Sequence, residues 1–387
     1  MNSNNCISIY TNCYGCGVCS ISCPVNAISL QLKNGFFHPF VDTSVCINCG
    51  KCLKTCSYDF FSFPQLSKIY GSYSAWSRNV ETRFTSTSGG ILYEISKSAI
   101  LRGYKIVGVR YDYSKNIAKH FIFDSLDSLA LATGSKYIQS YTLEALVELT
   151  TTDKYVVIGL PCMIASLRRY IESRNLQANF FLIDFFCHGL PSYTFYWKYL
   201  DYLRYQIGDI SSIKFRSKRC GWQNSTSIEA IGSKGEYFRM MSKGDIFFNF
   251  FLRNRCLNPV CYDSCHFKAA SSLADIRVGD FWGTKYSKND QGINSVLTFT
   301  PKGEELLSHI QDSCVINKEP ITEVLRGQMK TNAVRSKSYN LVSILLSKNY
   351  PLRLIAFLAD IIDDTASLPK RFLYYWHRLP YKIHLKK

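Results

Sequence analysis

The sequence predicts a combined α+β and α/β fold, in which a small cysteine-rich module precedes a larger α/β domain with a mixed sheet and a helical C-terminal tail. Eight cysteines fall in two matching runs within the first sixty residues. Apolar patterns typical of strands and helices then alternate between residues 91 and 186. Leu- and Ile-rich helical pieces return after about residue 336. At 387 residues the chain is too long for one ordinary domain.

The N-terminal module is defined by the spacing of its cysteines. The first run is Cys13, Cys16, Cys19 and Cys23, and the second is Cys46, Cys49, Cys52 and Cys56. Three thiolates at this spacing reach three corners of one cubane, while the fourth cysteine of each run ligates the other cluster. The sequence therefore predicts two 4Fe-4S clusters, one held by Cys13, Cys16, Cys19 and Cys56 and the other by Cys46, Cys49, Cys52 and Cys23.

A hairpin is predicted between the two runs. Apolar residues 27–32 and 36–41 flank Asn34-Gly35, which is a strong signal for a two-residue turn. Gly15, Gly17 and Gly50 let the backbone turn closely around inorganic sulfide. This layout is that of a bacterial two-cluster ferredoxin module, which we assign to residues 1–60. A zinc site or a disulfide framework is the alternative interpretation.

A serine- and glycine-rich segment opens the next helix. Residues 85–90 precede a helical apolar pattern over residues 91–101. Such a turn exposes free N–H groups at the positive end of the helix dipole and can bind a phosphate. Ser and Thr are also ordinary helix N-caps, so the pattern has a purely structural alternative.

Strands and helices alternate beyond this helix. Strands are predicted at residues 105–111, 120–123, 155–158 and 180–186, and helices at residues 142–149 and 163–173. Cys162 follows the third strand, and Cys187 and His188 follow the fourth. Active sites of such sheets lie at the carboxyl ends of the strands. These residues are therefore candidates for chemistry, although buried structural cysteines and histidines are common.

Three further cysteines, Cys256, Cys261 and Cys265, lie close together in the sequence. They could supply most of a third 4Fe-4S cluster, which Cys187 or Cys162 would complete. Structural zinc is the alternative, because the spacing is irregular. Cys6, Cys220 and Cys314 have no comparable neighbours in the sequence and are interpreted as ordinary cysteines.

The excess of basic residues and the C-terminal tail indicate which kinds of partner the protein could bind. Lys and Arg outnumber Asp and Glu by 46 to 29, which favours an acidic partner, a phosphate-bearing cofactor or an anionic membrane surface. The basic and aromatic tail could make peripheral membrane contact, or it could pack as a terminal helix. No nucleic-acid-binding motif accompanies the charge, so no nucleic acid is expected as a partner.

The same sequence predicts a cytoplasmic protein. Its N-terminus lacks the charged and apolar regions of a secretory signal. No apolar run approaches the roughly 20 residues that span a bilayer. Cysteines that ligate clusters must stay reduced until iron arrives, which indicates a reducing compartment.

Together these motifs resemble the beta subunits of coenzyme F420 hydrogenase/dehydrogenase, here with the N-terminal two-cluster ferredoxin module. Besides the cysteine runs and the Cys256 to Cys265 segment, the resemblance rests on Thr87-Ser88-Gly89-Gly90, Gly134-Ser135-Lys136-Tyr137, Gly159-Leu160-Pro161-Cys162, Cys187-His188-Gly189 and Gly279-Asp280-Phe281-Trp282-Gly283. They occur in the expected order between about residues 10 and 300. Relatives commonly have a CxxC pair where this chain has three residues between Cys261 and Cys265.

The resemblance implies an FAD-binding core, with an N-terminal part at residues 61–155 and a C-terminal part at residues 156–330. It implies flavin-pocket roles for Ser86, Ser88, Gly89, Gly90, Ser135, Lys136 and Tyr137. It also implies that the ligands of an additional 4Fe-4S centre come from Cys162, Cys187, Cys256, Cys261 and Cys265. The basic helical tail, residues 331–387, lies outside the resemblance.

The expected function is that of an iron–sulfur flavoprotein oxidoreductase, which passes electrons between 4Fe-4S clusters and FAD. Its substrate would be a deazaflavin such as coenzyme F420, or a small organic molecule in a pathway such as surface-polysaccharide synthesis. Lys136 would balance flavin or phosphate charge, and His188 would donate a proton beside the flavin ring. A redox partner protein or a soluble electron donor is expected. The alternative is a non-catalytic electron-transfer subunit that docks onto a partner enzyme through its tail.

Overall fold

The structure is a computed structural model that describes residues 5–10, 13–58 and 68–364. Its fourteen strands are β1 Ile28–Lys33, β2 Phe36–Val41, β3 Gly71–Ser77, β4 Lys105–Asp112, β5 Ile117–Phe123, β6 Ser140–Tyr141, β7 Tyr155–Ile158, β8 Phe180–Phe185, β9 Ile210–Phe215, β10 Ser227–Gly232, β11 Gly235–Met240, β12 Ile276–Asp280, β13 Asn294–Thr298 and β14 Cys314–Lys318, all within those ranges. The predicted fold class is confirmed, because a mixed α/β core follows a small ferredoxin-like region.

Helices cover both faces of the nine-stranded sheet that forms the core. Within the described ranges they are α1 Val18–Ile21, α2 Lys51–Thr55, α3 Val80–Thr85, α4 Ile91–Leu101, α5 Leu126–Ala130, α6 Leu143–Val147, α7 Pro161–Glu172, α8 Tyr193–Ile207, α9 Ile246–Leu252, α10 Pro259–Asp263, α11 Pro301–Ser308, α12 Ile321–Val324, α13 Tyr339–Leu346 and α14 Leu352–Asp363. None of the described helices combines the length and the apolar character that crossing a bilayer requires.

The predicted hairpin is present in the ferredoxin-like region. Strands β1 and β2 pair antiparallel, with Lys33 opposite Phe36. Asn34 and Gly35 both have left-handed backbones, with φ of 53° and 81°. A two-residue turn of this kind matches the right-handed twist of the strands and favours Asn-Gly.

The core is a nine-stranded mixed sheet in the order β14-β3-β13-β12-β8-β7-β4-β5-β6. Strands β12, β8, β7 and β4 are parallel to one another, and β5 is parallel to β6. The pairs β12–β13, β13–β3, β3–β14 and β4–β5 are antiparallel. Val156 and Leu182 in the central strands are fully buried. This is expected for parallel strands, because connecting helices cover both faces of the sheet.

The strand directions place the candidate segments at one edge of this sheet. The carboxyl ends of β3, β12, β8 and β7 point the same way, because two antiparallel pairings separate β3 from β12. Cys162 follows β7, Cys187 follows β8, and Asp280 ends β12. The edge at the carboxyl ends of these strands is therefore where the site forms.

A second sheet and an aromatic cluster extend the core. Strands β9, β10 and β11 form a three-stranded antiparallel sheet that packs against α8. The buried face of α8 repeats every three or four residues, at Phe195, Tyr199 and Leu203. These side chains pack with buried phenylalanines of α9.

The described part of the tail is anchored to the core. Arg255, whose side chain is fully buried, donates to Asp360 and Asp363 of α14, each at 2.7 Å. Helix α14 contacts α8. The basic and aromatic residues of the tail after residue 364 lie outside the described residues.

Candidate functional site

The structure brings together Cys13, Cys16, Cys19 and Cys56, which we call the inner group. Burial raises the pKa of Cys13, and the nearby thiols of Cys16 and Cys56 add to this effect. Burial also raises the pKa of Cys19, with further contributions from Cys16, Cys13 and Cys56. The four thiols of the first predicted ligand set thus lie together.

The remaining four cysteines of the two runs, Cys23, Cys46, Cys49 and Cys52, line one small recess, and we call them the outer group. Cys49 is exposed to solvent, whereas Cys52 is buried. The Cys23 Sγ accepts a hydrogen bond from the backbone N–H of Ala27 at 3.2 Å. The second predicted ligand set therefore lies together at the surface.

Four cysteines of the larger domain form a third set, the core group: Cys162, Cys187, Cys261 and Cys265. Cys162 is in the first turn of α7, Cys187 follows β8, and the other two lie in and just after α10. Burial raises the pKa of Cys162, and the thiols of Cys16, Cys187, Cys265 and Cys261 add to it. Burial, then Cys187 and Cys265, raise the pKa of Cys261 to about 12. The inner group adjoins the core group, because Cys16 neighbours Cys162.

Cys256, the fifth cysteine implied for the additional centre, lies outside the core group. It is buried in the aromatic cluster around α8 and α9. Burial raises its pKa, and its charged neighbour is Arg255. Its backbone carbonyl accepts a hydrogen bond from the Ser192 N–H at 2.9 Å.

The three groups have donor sets that fit 4Fe-4S clusters, since each offers four thiols. Buried thiols ionise reluctantly, so a cationic metal centre would favour their thiolate form. Within the described ranges, no three His, Cys, Asp or Glu side chains are arranged to hold a single metal ion.

Core side chains bind the main chain of the inner group directly. Three core side chains donate to carbonyls of this group: Asn258 Nδ2 to Cys13 O at 3.2 Å, Thr142 Oγ1 to Cys16 O at 2.9 Å, and Arg169 Nη1 to Cys56 O at 2.7 Å. Tyr14, between two inner cysteines, donates its hydroxyl to Ser264 O at 2.6 Å, next to Cys265. These bonds dock the inner group against the core group.

A buried ion pair supports the core group. Arg277 and Asp184, both fully buried, make two hydrogen bonds of 2.7 Å. Arg277 also donates to the carbonyls of Phe267 and Ala269, in the loop that follows Cys265. The pair therefore fixes that loop to the end of β8.

Lys268 links the same loop to the neighbouring strand end. Its Nζ donates to the carbonyls of Cys187 and His188 at 2.8 and 2.9 Å. The chain around Cys187 is thereby tied to the segment that carries Cys265.

The two segments implied for flavin binding meet at the sheet edge. The Ser135 N–H donates to the Thr87 hydroxyl at 2.9 Å. The Ser88 hydroxyl donates to Ile293 O, and the Ser86 N–H closes the end of α3 on Thr82 O. A Cβ at Gly89 would lie 2.6 Å from the Ala75 carbonyl, so only glycine allows this close approach to β3.

Gly90 is the N-cap of α4 and has a left-handed backbone, with φ of 86°. The next residue, Ile91, donates its N–H to Asn294 Oδ1 at 3.3 Å. The end of the turn is thus fixed against β13, and one of the N–H groups at the start of α4 already has an acceptor.

Lys136 faces backbone carbonyls. Its Nζ lies 2.9 Å from the carbonyl oxygens of Val109, Ala132, Thr133 and Gly134. Burial lowers its pKa to about 7. In this arrangement the ammonium fastens the end of α5 to β4.

Sequence reasoning missed Arg216, which lies beside Tyr137. Arg216 Nη1 donates to the Tyr137 hydroxyl at 3.1 Å and to Asp280 Oδ2 at 2.9 Å. Its backbone is left-handed, with φ of 72°, which is strained for a residue with a side chain. Arg216 Nη2 is buried, and no atom of the described residues accepts a hydrogen bond from it.

Two more buried cations, Arg83 and Lys218, lie under the serine-glycine turn. Lys218 Nζ donates to the carbonyls of Arg83, Ser88 and Gln291. Burial, together with the charges of Arg83 and Arg216, lowers its pKa to about 7 against the opposing effect of Asp280. Arg83 Nε is also buried without an acceptor among the described residues. Asp280 is therefore the nearby carboxylate for Arg216 and Lys218, and Arg83 adds a third buried cation beside Lys218.

A pair of tryptophans adjoins these charges. Trp222 and Trp282 stack with ring centroids 5.2 Å apart and an interplanar angle of 3°. Trp222 Nε1 donates to Asp280 Oδ1, and the Arg216 guanidinium lies 5.8 Å from the Trp282 ring. The basic run from Arg216 to Arg219, followed by Gly221-Trp222, is the sequence signal that could have revealed this region.

His188 lies next to the core group. Its Nε2 is 2.7 Å from Asn254 Oδ1 and 3.2 Å from Phe251 O, both acceptors, so we assign the proton to this nitrogen. Burial lowers its pKa, which favours the neutral ring. The ring packs on Phe251, with centroids 4.8 Å apart.

Two known families match parts of the chain. Residues 152–324 match the C-terminal region of the beta subunit in coenzyme F420 hydrogenase/dehydrogenase, and residues 12–60 match the 4Fe-4S dicluster domain. No curated protein sequence gives a significant match. Among solved structures, the F420-reducing NiFe hydrogenase complex from Methanosarcina barkeri, studied by xenon derivatization, contains a similar chain. The TM-score is 0.48 and the identity 19%, over 74% of this chain and 90% of that one.

Proposed function

We propose that the chain is an iron–sulfur flavoprotein oxidoreductase, because residues 152–324 match the C-terminal region of the coenzyme F420 hydrogenase/dehydrogenase beta subunit and residues 12–60 match a 4Fe-4S dicluster domain. It passes electrons between 4Fe-4S clusters and FAD, and it reduces or oxidises a deazaflavin or another small organic molecule. The two matches support an iron–sulfur protein of electron transfer. The flavin and the substrate are our proposal.

The observation that carries the flavin is the buried positive charge of Arg83, Arg216 and Lys218. Burying a charge without a partner is costly, and here Asp280 is the nearby counter-charge for Arg216 and Lys218. An anionic ligand would balance the remaining charge and accept from Arg83 Nε and Arg216 Nη2. The pyrophosphate of FAD has this chemistry, and the adjoining turn leads into the N-terminus of α4.

The cysteine groups supply the ligands of the clusters. The outer and inner groups would hold the two clusters of the dicluster domain, and the core group would hold a third. When bound, the clusters carry single electrons and the flavin exchanges one or two. The three groups follow one another in the order outer, inner and core, because Cys52 neighbours Cys19 and Cys16 neighbours Cys162. Because Cys49 is exposed, a redox partner would approach the outer group.

His188 is our candidate proton donor for the substrate reaction. It directly follows Cys187 of the core group, and Asn254 orients its ring. Burial lowers its pKa and favours the neutral ring, in which Nε2–H donates to Asn254 and Nδ1 is the nitrogen that would exchange a proton with the substrate.

The test compares Arg216→Gln with Arg219→Gln after anaerobic purification of the full chain. Arg219 is a matched control, because it lies three residues away and pairs with Glu236 at the surface. Hydrogen bonds to charged groups contribute about 1.5–3 kcal/mol. We therefore expect R216Q to weaken FAD binding by about 10- to 100-fold, and R219Q to leave it unchanged.

Flavin extraction and iron analysis complete the test. Three cubanes correspond to about twelve irons per chain, and two correspond to about eight. A chain that keeps its iron but neither contains nor binds FAD would refute the flavoprotein and favour an electron-transfer subunit. Equal FAD affinity of the two variants would refute the role of Arg216.

A further inference from the structure

A fifth thiol, that of Cys6, lies beside the outer group. In the sequence Cys6 stands apart from both runs, and its isolation there predicts an ordinary cysteine. In the structure it is 1% exposed and lines the same recess as Cys23, Cys46, Cys49 and Cys52. A cubane takes four cysteine ligands. The recess therefore offers one thiol more than a bound cluster would use.

The segment that carries Cys6 is held against the second cysteine run. Asn5 Nδ2 donates to Asn48 O at 3.0 Å. A Cβ at Gly50 would lie 2.7 Å from Asn5 Oδ1, so this contact depends on the glycine. The residue after Cys6, Ile7, is also buried. Both sides of Cys6 are thus fixed next to the outer group.

Among the four thiols of the outer group, Cys52 is the one with which Cys6 and its neighbour Ile7 interact. The backbone N–H of Ile7 donates to the Cys52 sulfur, and the Cys6 thiol is close enough to Cys52 to help raise its pKa. The Cys6 Sγ lies 2.9 Å from the Ser8 hydroxyl, which orients it. The two thiols pack in one small cluster with Cys19 and Ile28.

We infer that Cys6 is a reserve ligand of the outer cluster, and that it binds the iron of Cys52 when the bond to Cys52 is lost. In this exchange one Fe–S bond breaks and one forms. The proton of the Cys6 thiol passes to the departing Cys52 thiolate, so neither iron nor sulfur changes its oxidation state. The inference rests on the dicluster domain and is independent of the proposed flavin.

A reserve ligand is useful at the outer group because this group is exposed. Cys49 lies at the surface, so oxidants and chelators can reach this cluster. A thiol already held beside the site can rebind iron faster than a free thiol from solution, because its position is fixed in advance.

The test uses the full chain, purified anaerobically, as Cys52→Ala, Cys6→Ala and the double variant. C52A is expected to keep the iron content of the wild type and to lack the EPR signal of a three-iron cluster. C6A alone is expected to keep its iron as well. The double variant is expected to lose one iron or more per chain and to show the three-iron signal. Cys13→Ala is the control for a lost ligand without a reserve, because Cys13 neighbours only inner-group thiols.

Equal iron loss and equal EPR signals in C52A and in the double variant would overturn the inference. A second measurement covers the case in which C52A does not fold. Wild type and C6A, both with all eight cysteines of the two runs, are treated with ferricyanide. The three-iron signal is expected to form earlier in C6A than in the wild type. Identical time courses would overturn the reserve role.

Discussion

The inner and outer groups have the same cysteine spacing in the sequence but different surroundings in the structure. Core residues donate hydrogen bonds to three main-chain carbonyls of the inner group, and Cys162 of the core group adjoins Cys16. The outer group instead lies at the surface, where Cys49 is exposed. Two equivalent motifs have therefore become an internal site and an external site. Their roles follow from what surrounds them.

The two sides also differ in how they are stabilised. The internal side depends on buried polar networks contributed by strands far apart in the sequence, such as Arg277 with Asp184. The external side depends on contacts made within the first sixty residues, such as Ala27 N–H with Cys23 Sγ and Asn5 with Asn48. Disturbing the internal side should therefore cost more stability.

The largest effect is expected for Asp184→Ala. This substitution leaves Arg277 buried without its counter-charge, which costs about 3–5 kcal/mol. The expected result is a lower free energy of unfolding of the core, measured by urea denaturation under anaerobic conditions. Glu236→Ala is the control, because it breaks the exposed pair with Arg219, which contributes at most about 1 kcal/mol. Equal losses in the two variants would contradict the internal network.

A smaller effect is expected for Gln139→Ala at the docking contact. The buried Gln139 side chain accepts from the Phe37 N–H at 2.8 Å and donates to Tyr14 O at 3.0 Å. Its removal leaves two buried backbone groups without partners, at about 1–3 kcal/mol each. We expect faster hydrogen–deuterium exchange across residues 13–41. Asn5→Ala, which removes an exposed bond of the outer side, should leave that exchange unchanged.

The smallest perturbation is gradual iron removal from the unmodified protein. A chelator should release iron in two phases, and the fast phase should contain about four irons from the outer cluster. Iron release is followed by absorbance of the chelate. A variant with Cys46→Ala and Cys49→Ala should lack the fast phase. If that variant still releases iron rapidly, the outer cluster is not the exposed one.

Local sequence patterns predicted much of the fold. Asn34-Gly35 gives the hairpin, and the apolar runs at residues 105–111, 155–158 and 180–186 correspond to β4, β7 and β8. Strands β9 to β14 were not predicted from their patterns. Of these, β12 pairs with β8, and β13 and β14 both pair with β3, far away in the sequence, so their stability depends on tertiary pairing more than on local preference.

The sequence by itself determined the two cysteine runs, the dicluster domain and the family resemblance, because cluster ligation and tight turns depend on residue spacing along the chain. The tertiary structure decided which thiols and charges become neighbours. It separated Cys256 from the core group, placed Cys6 beside the outer group, and gathered Arg83, Arg216 and Lys218 under one turn. These neighbours come from segments far apart in the sequence. Their proximity arises only when the strand ends meet at one edge of the sheet.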